Sequence, residues 1–318
     1  MNHALIDWIS FTLPLELTFS GGGKNYLNTA DAIVSILFDL DFRHFEHTTK
    51  KANFYRNKFT YRSKTGKPLV QVFIEPDATA NAKTTLFMVT GYALSNNADA
   101  LTGLDPIELL KKIKANNGRL TRIDLALDDF SGRPLLAQMI EFSQPDVWRD
   151  RTITTLCRTS KPLAIWDETL YFGNRKKGNC ICAYDKAVQQ GVAGPWFRCE
   201  FSSRDRDLCA VILEDLTNGL SVGKVTAGLL GQYLRFVPPG LKAKGNRPTC
   251  SWWSDFLKEG EGYELKRQGG GKDDEPRKAV SRFSVLRYLK DAAKQDPREV
   301  LAAIQELLPD LQLAIDFS

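Results

Sequence analysis

The chain contains little of the material that builds several common kinds of site. Three histidines and six cysteines occur among 318 residues, and no two cysteines have the C-x-x-C spacing of a zinc ribbon or a thioredoxin-type redox motif. No stretch approaches 18 uninterrupted apolar residues, which excludes a membrane-spanning helix. Gly21–Lys24 (GGGK) lacks the Gly-x4-Gly-Lys-Ser/Thr spacing of a phosphate-binding loop, so we interpret it as a turn.

The overall composition is that of a folded protein with a mild positive charge. Apolar residues make up 43% and charged residues 25%, which excludes global disorder. The net charge of +5 is compatible with a polyanionic partner. The cysteines lie in apolar, strand-like runs and no signal peptide precedes them, so we expect reduced thiols in a cytoplasmic protein.

Periodicity predicts short strands and amphipathic helices. The expected strands are Ile6–Leu13, Lys58–Ser63, Leu69–Glu75, Thr85–Thr90, Arg119–Phe130, Thr169–Phe172, Asn179–Lys186 and Trp196–Ser202. The expected helices are Thr29–Leu40, Pro106–Ala115, Pro134–Phe142 and Leu208–Leu216. This order occurs twice, so we expect an α+β fold with an antiparallel catalytic sheet, flanking helices and two similar halves.

The character of the chain changes after about Arg235. Residues 235–290 contain 13 Lys and Arg against 7 Asp and Glu, and Gln268–Lys272 (QGGGK) is typical of a flexible linker. Lys278–Lys290 and Pro297–Leu308 have helical spacing. We therefore expect a domain over residues 1–235, followed at 236–318 by a basic, linker-containing helical region. That region is either a solvated tail or an appendage that follows a phosphate backbone.

The strand Thr121–Phe130 (TRIDLALDDF) carries acids on one of its faces. With a period of two, Arg122, Asp124 and Asp128 share a face opposite the leucines. Such acids either pair with Arg122 at a wet surface or bind a hard divalent cation. Four residues of strand separate Asp124 and Asp128 by roughly 13 Å, so both cannot ligate one ion, and we favour Asp124.

Two further segments carry candidate reactive groups. In Leu170–Lys186, Tyr184 lies two residues from Lys186, a cation that would favour its phenolate, while Tyr171 precedes a basic turn made by Arg175, Lys176 and Lys177. For either tyrosine the alternative is a packing residue. In Trp196–Ser202, Arg198 and Glu200 share a face, and a Glu in an otherwise apolar strand indicates a metal or an arginine partner.

The segments TRIDLALDD, LYFGNRKKGNCICAYDK and WFRCEF follow an N-terminal IDWISFTL in this order. The ordered set, spanning roughly Ile6 to Leu216, resembles the replication initiation factor family of plasmid rolling-circle initiators and filamentous phage replication proteins. The resemblance implies a metal-dependent DNA nicking and strand-transfer enzyme. In this chemistry a tyrosine attacks a phosphate at the origin, leaving a 5′-phosphotyrosyl link and a 3′-hydroxyl that primes synthesis.

Carried onto this sequence, the resemblance implies a set of site residues. Mg²⁺ or Mn²⁺ would be bound by Asp124, Asp128 and Glu200, and DNA by Arg122, Arg175, Lys176, Lys177 and Arg198. Plasmid members can have a tyrosine between the arginine and the glutamate, whereas this chain has Cys199 there. The nucleophile is therefore either Tyr171 or Tyr184, with Lys186 assisting. The His-hydrophobe-His strand of the common rolling-circle nucleases and relaxases is absent.

The expected partner is origin DNA, both double-stranded and single-stranded, with a host helicase and polymerase and a homodimer as further candidates and no membrane. The sequence also allows two functions other than a nicking enzyme. The first is a non-catalytic DNA-binding regulator of a phage or plasmid, and the second is a metal-dependent nuclease that uses water.

Overall fold

A computed structural model of the chain describes residues 2–14, 26–49, 54–76, 84–95, 101, 103–143, 152–155, 165–166, 169–173, 178–238, 247–263 and 265. The chain divides into two units, Met1–Gln268 and Gly269–Ser318. The described residues all belong to the first unit, so the helices expected at Lys278–Lys290 and Pro297–Leu308 lie outside them. Among the described residues, no helix is long and apolar enough to cross a membrane.

The first unit contains twelve strands and eight α-helices within the described residues. The strands are β1 (His3–Pro14), β2 (Glu46–Thr48), β3 (Tyr55–Arg62), β4 (Pro68–Pro76), β5 (Thr84–Thr90), β6 (Arg119–Asp129), β7 (Thr152–Thr155), β8 (Ile165–Trp166), β9 (Thr169–Gly173), β10 (Asn179–Asp185), β11 (Phe197–Ser203) and β12 (Leu234–Val237). The helices are α1 (Tyr26–Phe38), α2 (Gly91–Leu94), α3 (Pro106–Ala115), α4 (Leu135–Ser143), α5 (Lys186–Gln190), α6 (Arg206–Thr217), α7 (Val222–Tyr233) and α8 (Ser251–Phe256).

Ten strands form one sheet whose order is β2-β3-β4-β5-β1-β6-β11-β10-β9-β8. Every neighbouring pair is antiparallel. The order is palindromic about the β1–β6 pair: β1, α1, β3, β4, β5 and α3 are matched in sequence by β6, α4, β9, β10, β11 and α6. The predicted α+β fold with two similar halves is therefore confirmed.

One face of the sheet is covered by helices and holds the core. Ile9 and Phe11 of β1, Leu125 of β6 and Phe201 of β11 are completely buried in one cluster with residues of α3, α6 and α7. Polar residues alternate with these along the strands, as the period of two requires. The opposite face, which we call the open face, therefore receives the side chains of chemical interest.

Several predicted boundaries shift for local reasons. The first helix was expected at Thr29–Leu40 but is Tyr26–Phe38, because Asp39 adopts a left-handed conformation (φ 54°) that ends it. The strand expected to reach Lys186 ends at Asp185, whose carboxylate caps α5 by accepting from the Val188 amide. Lys186 is thus the first residue of a helix.

The segment 247–263, which follows the domain boundary predicted at Arg235, packs against α7. Trp253 and Phe256 are completely buried, and Trp253 Nε1 donates to the Leu234 carbonyl oxygen at 2.9 Å. A Cβ on Gly228 of α7 would lie 2.2 Å from the Tyr263 ring, so glycine is what permits this close approach. Tyr263 Oη also donates to Asp215 of α6 at 2.8 Å.

Candidate active site

The open face of the C-terminal half carries three rows of polar side chains. The row on β6 consists of Arg122, Asp124 and Asp128, and the row on β11 consists of Arg198, Glu200 and Ser202. The row on β10 consists of Cys180, Cys182 and Tyr184. The strand register sets Arg198 beside Asp128 and Tyr184, and Ser202 beside Asp124 and Cys180. The sequence period predicted the β6 row and the shared face of Arg198 and Glu200, and the register decides which residues meet.

A buried arginine lies at the centre of these rows. Arg198 donates from Nε and Nη2 to the two oxygens of Asp128, at 2.6 and 2.7 Å, and its side chain is only 5% exposed. The third nitrogen, Nη1, lies 2.7 Å from Asp7 Oδ1 and 4.0 Å from Glu200 Oε1. Buried charges persist when they are paired and hydrogen-bonded in this way, so the cluster is a fixed electrostatic framework.

Asp7 is contributed by β1, from the other half of the molecule. The β1–β6 register shifts between Ile6 and Trp8, so Asp7 is the residue at a bulge, and its carboxylate accepts from Arg198. Gly91, the first residue of α2, makes room for it, since a Cβ there would lie 2.4 Å from the Asp7 carbonyl oxygen. Sequence reasoning missed Asp7, and its one signal was an acid inside the alternating strand IDWISFTL.

Tyr184, Glu200 and Lys186 form the second group. Tyr184 Oη donates to Glu200 Oε1, and Cys182 Sγ lies 3.3 Å from the other carboxylate oxygen. Lys186 Nζ lies 3.4 Å from Tyr184 Oη and 2.6 Å from Gln189 Oε1. The predicted Tyr184–Lys186 contact therefore exists, and a carboxylate accompanies it.

Burial and neighbouring charges alter the acid–base properties of this group. Burial and the negative charge of Glu200 raise the pKa of Tyr184, so the expectation that Lys186 favours the phenolate is wrong. Burial and the positive charge of Arg198 lower the pKa of Lys186. Burial and the charge of Asp7 raise the pKa of Glu200. Glu200 is consequently a stronger base than an exposed glutamate, and it already holds the phenolic proton of Tyr184 in a hydrogen bond.

A cavity of about 320 Å³ opens over these rows. It is lined by Arg122, Asp124, Thr169, Tyr171, Cys180, Cys182, Tyr184, Gln189, Glu200, Ser202 and Arg204. Both candidate tyrosines therefore reach the same cavity, from adjacent strands in which Cys182 is the register partner of Tyr171.

Asp124 is paired with Arg122 rather than exposed to the cavity alone. Arg122 donates to both Asp124 oxygens, with Nε at 2.9 Å from Oδ1, and its guanidinium lies 4.7 Å from the centroid of the Trp8 ring. Asp128 is likewise engaged through both oxygens by Arg198. Among the residues that the structure describes, no group of three or more His, Cys, Asp and Glu side chains could hold a metal ion.

The residues expected to contact DNA have different environments. Arg122 is partly exposed at the cavity wall, and Arg198 is buried among carboxylates. Arg175, Lys176 and Lys177 lie outside the described residues.

The pentapeptide Gly219–Gly223 (GLSVG) matches the pattern of a hydrolase nucleophile turn, but Ser221 has a different role here. It is the N-cap of α7, where its Oγ accepts from the Lys224 amide at 3.1 Å. The residues before it belong to helix α6 and a turn instead of a strand, so the context that a nucleophile elbow requires is missing.

Comparison with known proteins identifies the family. The model of the replication initiation factor family matches residues 118–278, just over half of the chain, and includes every residue of the site except Asp7 and Trp8. The chain belongs to the replication initiation factor family. No curated protein matches the chain.

A solved structure agrees in fold. The rolling circle replication initiator protein from Geobacillus stearothermophilus is similar with a TM-score of 0.63 and 21% sequence identity, over 84% of this chain and 100% of that chain. This similarity extends the shared fold to the N-terminal half, which precedes the matched family segment.

Proposed function

We propose that this replication initiation factor nicks origin DNA and transfers the strand through a 5′-phosphotyrosyl intermediate formed on Tyr184. The observation that carries the proposal is the hydrogen bond from Tyr184 Oη to Glu200, in a cavity whose wall also includes Arg122. Tyr171 lines the same cavity, and we assign the nucleophile to Tyr184 because a carboxylate and an ammonium group are known to lie at its hydroxyl. A phenol needs such neighbours because it is a weak nucleophile when protonated.

The proposed step balances as a transesterification. Tyr184 Oη forms a bond to phosphorus, its proton passes to Glu200, and the bond between phosphorus and the 3′-oxygen breaks to leave a 3′-hydroxyl after protonation. The raised pKa of Tyr184 favours proton transfer during the attack over a free phenolate at rest. The reverse reaction reseals the strand, with Glu200 returning the proton.

The cations around the phenol stabilise the charge that develops. Lys186 Nζ lies on the side of the attacking oxygen, 3.4 Å from it, so in an in-line reaction it stabilises the phenol oxygen and the non-bridging oxygens instead of protonating the leaving group. Arg198 holds Asp7, Asp128 and β11 in place from its buried position. It acts by positioning Glu200.

We further propose that a divalent ion, Mg²⁺ or Mn²⁺, binds at this site. Burial and, after it, the like charge of Asp7 raise the pKa of Glu200, so a cation near these two carboxylates would offset their repulsion. Mg²⁺ often uses only one or two protein carboxylates together with phosphate and water oxygens. Bound there, the ion would neutralise charge on the scissile phosphate. Asp124 and Asp128, proposed as ligands from the sequence, would each have to exchange an arginine partner for the ion.

The finer assignments remain part of the proposal. They comprise origin DNA in single-stranded and double-stranded form as substrate, a host helicase and polymerase as partners, a homodimer, and a phage or plasmid as the source of the origin. The two alternative functions differ in the products they give: a regulator binds origin DNA without cleaving it, and a water-dependent nuclease cleaves it without a covalent link.

The decisive experiment uses supercoiled DNA that carries the cognate origin, followed by protease digestion and mass spectrometry. We expect wild type and Tyr171→Phe to give nicked DNA and a nucleotide adduct on Tyr184, and Tyr184→Phe to give neither while remaining folded. Loss of one phenolic hydrogen bond costs only about 1 kcal/mol of stability, so Tyr184→Phe should fold. An adduct on Tyr171, or cleavage without any adduct, would contradict the assignment.

The metal proposal is tested with the same substrate. Nicking should vanish in EDTA and return with Mg²⁺ or Mn²⁺, and Glu200→Gln should abolish cleavage while origin binding is retained. Asp124→Asn tests the original ligand assignment: if its nicking and metal dependence equal those of wild type, Asp124 serves only to orient Arg122.

A further inference from the structure

Two aromatic side chains form a pair outside the hydrophobic core, at the end of the strands that carry the candidate site. Phe130 directly follows β6 and Trp196 directly precedes β11, and their ring centroids are 5.4 Å apart. Phe130 is 49% exposed and Trp196 is partly exposed, and neither residue is part of the hydrophobic clusters found among the described residues. The pair therefore presents aromatic surface that the packing of the sheet against its helices does not use.

The pair lies next to the proposed nucleophile. The centroid of the Trp196 ring is 5.8 Å from the guanidinium carbon of Arg198, which is two residues further along the strand. The Trp196 carbonyl oxygen accepts from the Lys186 amide at 2.7 Å, which continues the β10–β11 ladder by one step. Lys186 Nζ is in turn 3.4 Å from Tyr184 Oη. One row of side chains therefore separates the aromatic pair from the hydroxyl group proposed to attack DNA.

The surroundings of the pair combine apolar surface with a cation. Five large apolar side chains are exposed among the described residues, and three of them, Phe130, Val188 and Val192, lie at this end of β6 or in the connection between β10 and β11. The Lys186 ammonium group donates to two uncharged oxygens, Tyr184 Oη and Gln189 Oε1. An unpaired nucleotide matches such a surface, because it joins a flat aromatic base to an anionic phosphate.

The spacing along the strands indicates which base would reach the pair. Two residues span about 6.6 Å of a β-strand, which is of the order of the distance between consecutive nucleotides of an extended single strand. With the scissile phosphate held at Tyr184 and Lys186, a base that flanks this phosphate therefore reaches Phe130 and Trp196. A protein partner seated on the pair would stand in the path of the DNA at Tyr184, so the location favours a nucleotide.

From these observations we propose that Phe130 and Trp196 form a stacking site for one unpaired base that flanks the scissile phosphate. The base stacks on the exposed ring of Phe130, and Trp196 contacts that ring from the side of Arg198. The inference rests on the proposed function, because the position of the scissile phosphate is taken from the attack by Tyr184. It assigns the pair a role in holding a single-stranded origin against the nucleophile.

The test compares full-length wild type with Phe130→Leu, Phe130→Tyr and a matched control, Phe54→Leu. Phe54 is also an exposed phenylalanine, but it precedes β3, which lies four strand positions from β6 in the sheet. The probe is a single-stranded origin oligonucleotide, bound in EDTA so that cleavage does not intervene. A series of these oligonucleotides carries one abasic sugar at successive positions around the nick, which removes a base and keeps every phosphate.

We expect Phe130→Leu to bind the unmodified oligonucleotide about tenfold more weakly than wild type, because leucine is apolar but has no ring on which a base can stack. An abasic sugar at one position flanking the nick should weaken binding by wild type and by Phe54→Leu, and should cause little further loss in Phe130→Leu. Phe130→Tyr should bind as wild type does, since it keeps the ring. All four proteins should share one salt dependence, because the substitutions change no charge. Thermal unfolding of Phe130→Leu should stay close to that of wild type, because the side chain lies outside the core clusters.

Equal affinity of Phe130→Leu and wild type for the unmodified oligonucleotide would overturn the stacking site and would favour a protein partner for the pair. Abasic effects in Phe130→Leu as large as those in wild type at every position would also overturn it. Nicking by wild type in Mg²⁺ is measured in parallel, so the two proposals fail separately. If wild type nicks and Phe130→Leu binds normally, the stacking site is wrong and the proposed function stands. If wild type binds without nicking while the position-specific defect of Phe130→Leu persists, the pair is a DNA contact and the proposed chemistry is wrong.

Discussion

The two halves of the sheet share an order of elements but carry different groups on the open face. In the N-terminal half, Phe73 and Leu86 are buried in a small apolar cluster with Tyr55 and Met88, and Lys58 Nζ lies 5.7 Å from the Phe73 ring centroid. In the C-terminal half the corresponding strands β10 and β11 carry tyrosine, glutamate and arginine. The helix-side residues are apolar in both halves.

This difference shows that the helix-side face of the sheet determines the fold, whereas the open face carries the groups proposed to perform chemistry. The apolar face of each strand decides where it lies against the helices, and that requirement is the same on both sides of the β1–β6 pair. The open face is free to differ, and the charged framework occurs on one side of it. Asp7 of β1 is the residue through which the N-terminal half joins that framework, by its bond to Arg198.

The largest effect should come from removing the segment 247–263, which packs against α7. Truncation after Pro238 deletes Trp253 and Phe256, and loss of one such buried aromatic side chain already costs about 3–5 kcal/mol. Since whole domains are stable by only about 5–15 kcal/mol, we expect this fragment to lack a cooperative thermal transition. Truncation after Gln268, at the end of the first unit, should retain one. Equal melting of the two fragments would show that 247–263 is dispensable.

The next effect concerns the buried framework of the C-terminal half. Arg198→Met leaves the carboxylate of Asp128, 2% exposed, without its partner, and we expect a loss of about 3–5 kcal/mol in urea unfolding. The comparison in the N-terminal half is Arg62→Gln, which breaks the surface pair of Arg62 with Glu46 and should cost below about 1 kcal/mol. Similar losses in the two variants would mean that the Arg198 cluster is solvated.

The local pattern of the sequence predicted eight of the twelve described strands, missing the short β2, β7, β8 and β12, and it predicted the contacts between strands poorly. The ends of β6 and β9 lie within one residue of those expected from alternation. Alternation also placed Arg198 and Glu200 on one face. The pairing of Arg198 with Asp128, 70 residues away, depends on the register between β11 and β6, which no short segment encodes.

Two other features had weak local signals for physical reasons. Helix α7 contains three glycines and several β-branched residues, which lower helix propensity, and it is stabilised by packing against β1, β6 and the segment around Tyr263. Asp7 has no register partner on β6, because it lies at the bulge between Ile6 and Trp8, and its contact with Arg198 joins residues 191 positions apart in the sequence.

The variant Phe73→Leu tests whether the open face of the N-terminal half contributes to stability alone. The Phe73 side chain fills the apolar cluster of the N-terminal half, so we expect the variant to lose about 1–2 kcal/mol of unfolding free energy. Per folded molecule, the yield of covalent DNA adduct should equal that of wild type, because the residue lies in the half without the proposed nucleophile. A selective loss of adduct would indicate that the apolar cluster also binds DNA.

The smallest effect is a pH dependence that has opposite signs at two carboxylates of the C-terminal half. Burial and Asp7 raise the pKa of Glu200 in the folded state, so the folded protein is most favoured when Glu200 is protonated and loses stability as pH rises through that pKa. Burial acts on Asp129 as well, but its bonds with Arg133 and Ser131 outweigh it and lower the pKa. The stabilisation of the folded protein by the ionised Asp129 carboxylate is therefore present at neutral pH and is lost as pH falls.

Neutral amides at the two positions should reveal this opposition. Glu200→Gln should be more stable than wild type at neutral pH, although inactive in nicking, and the two proteins should converge as the pH falls below the ordinary glutamate value of about 4.3. Asp129→Asn should be less stable than wild type at neutral pH, with a deficit that shrinks in acid. Urea unfolding at a series of pH values measures both. A less stable Glu200→Gln at neutral pH would mean that the bonds of the carboxylate with Tyr184 and its attraction to Arg198 outweigh the cost of burying its charge beside Asp7.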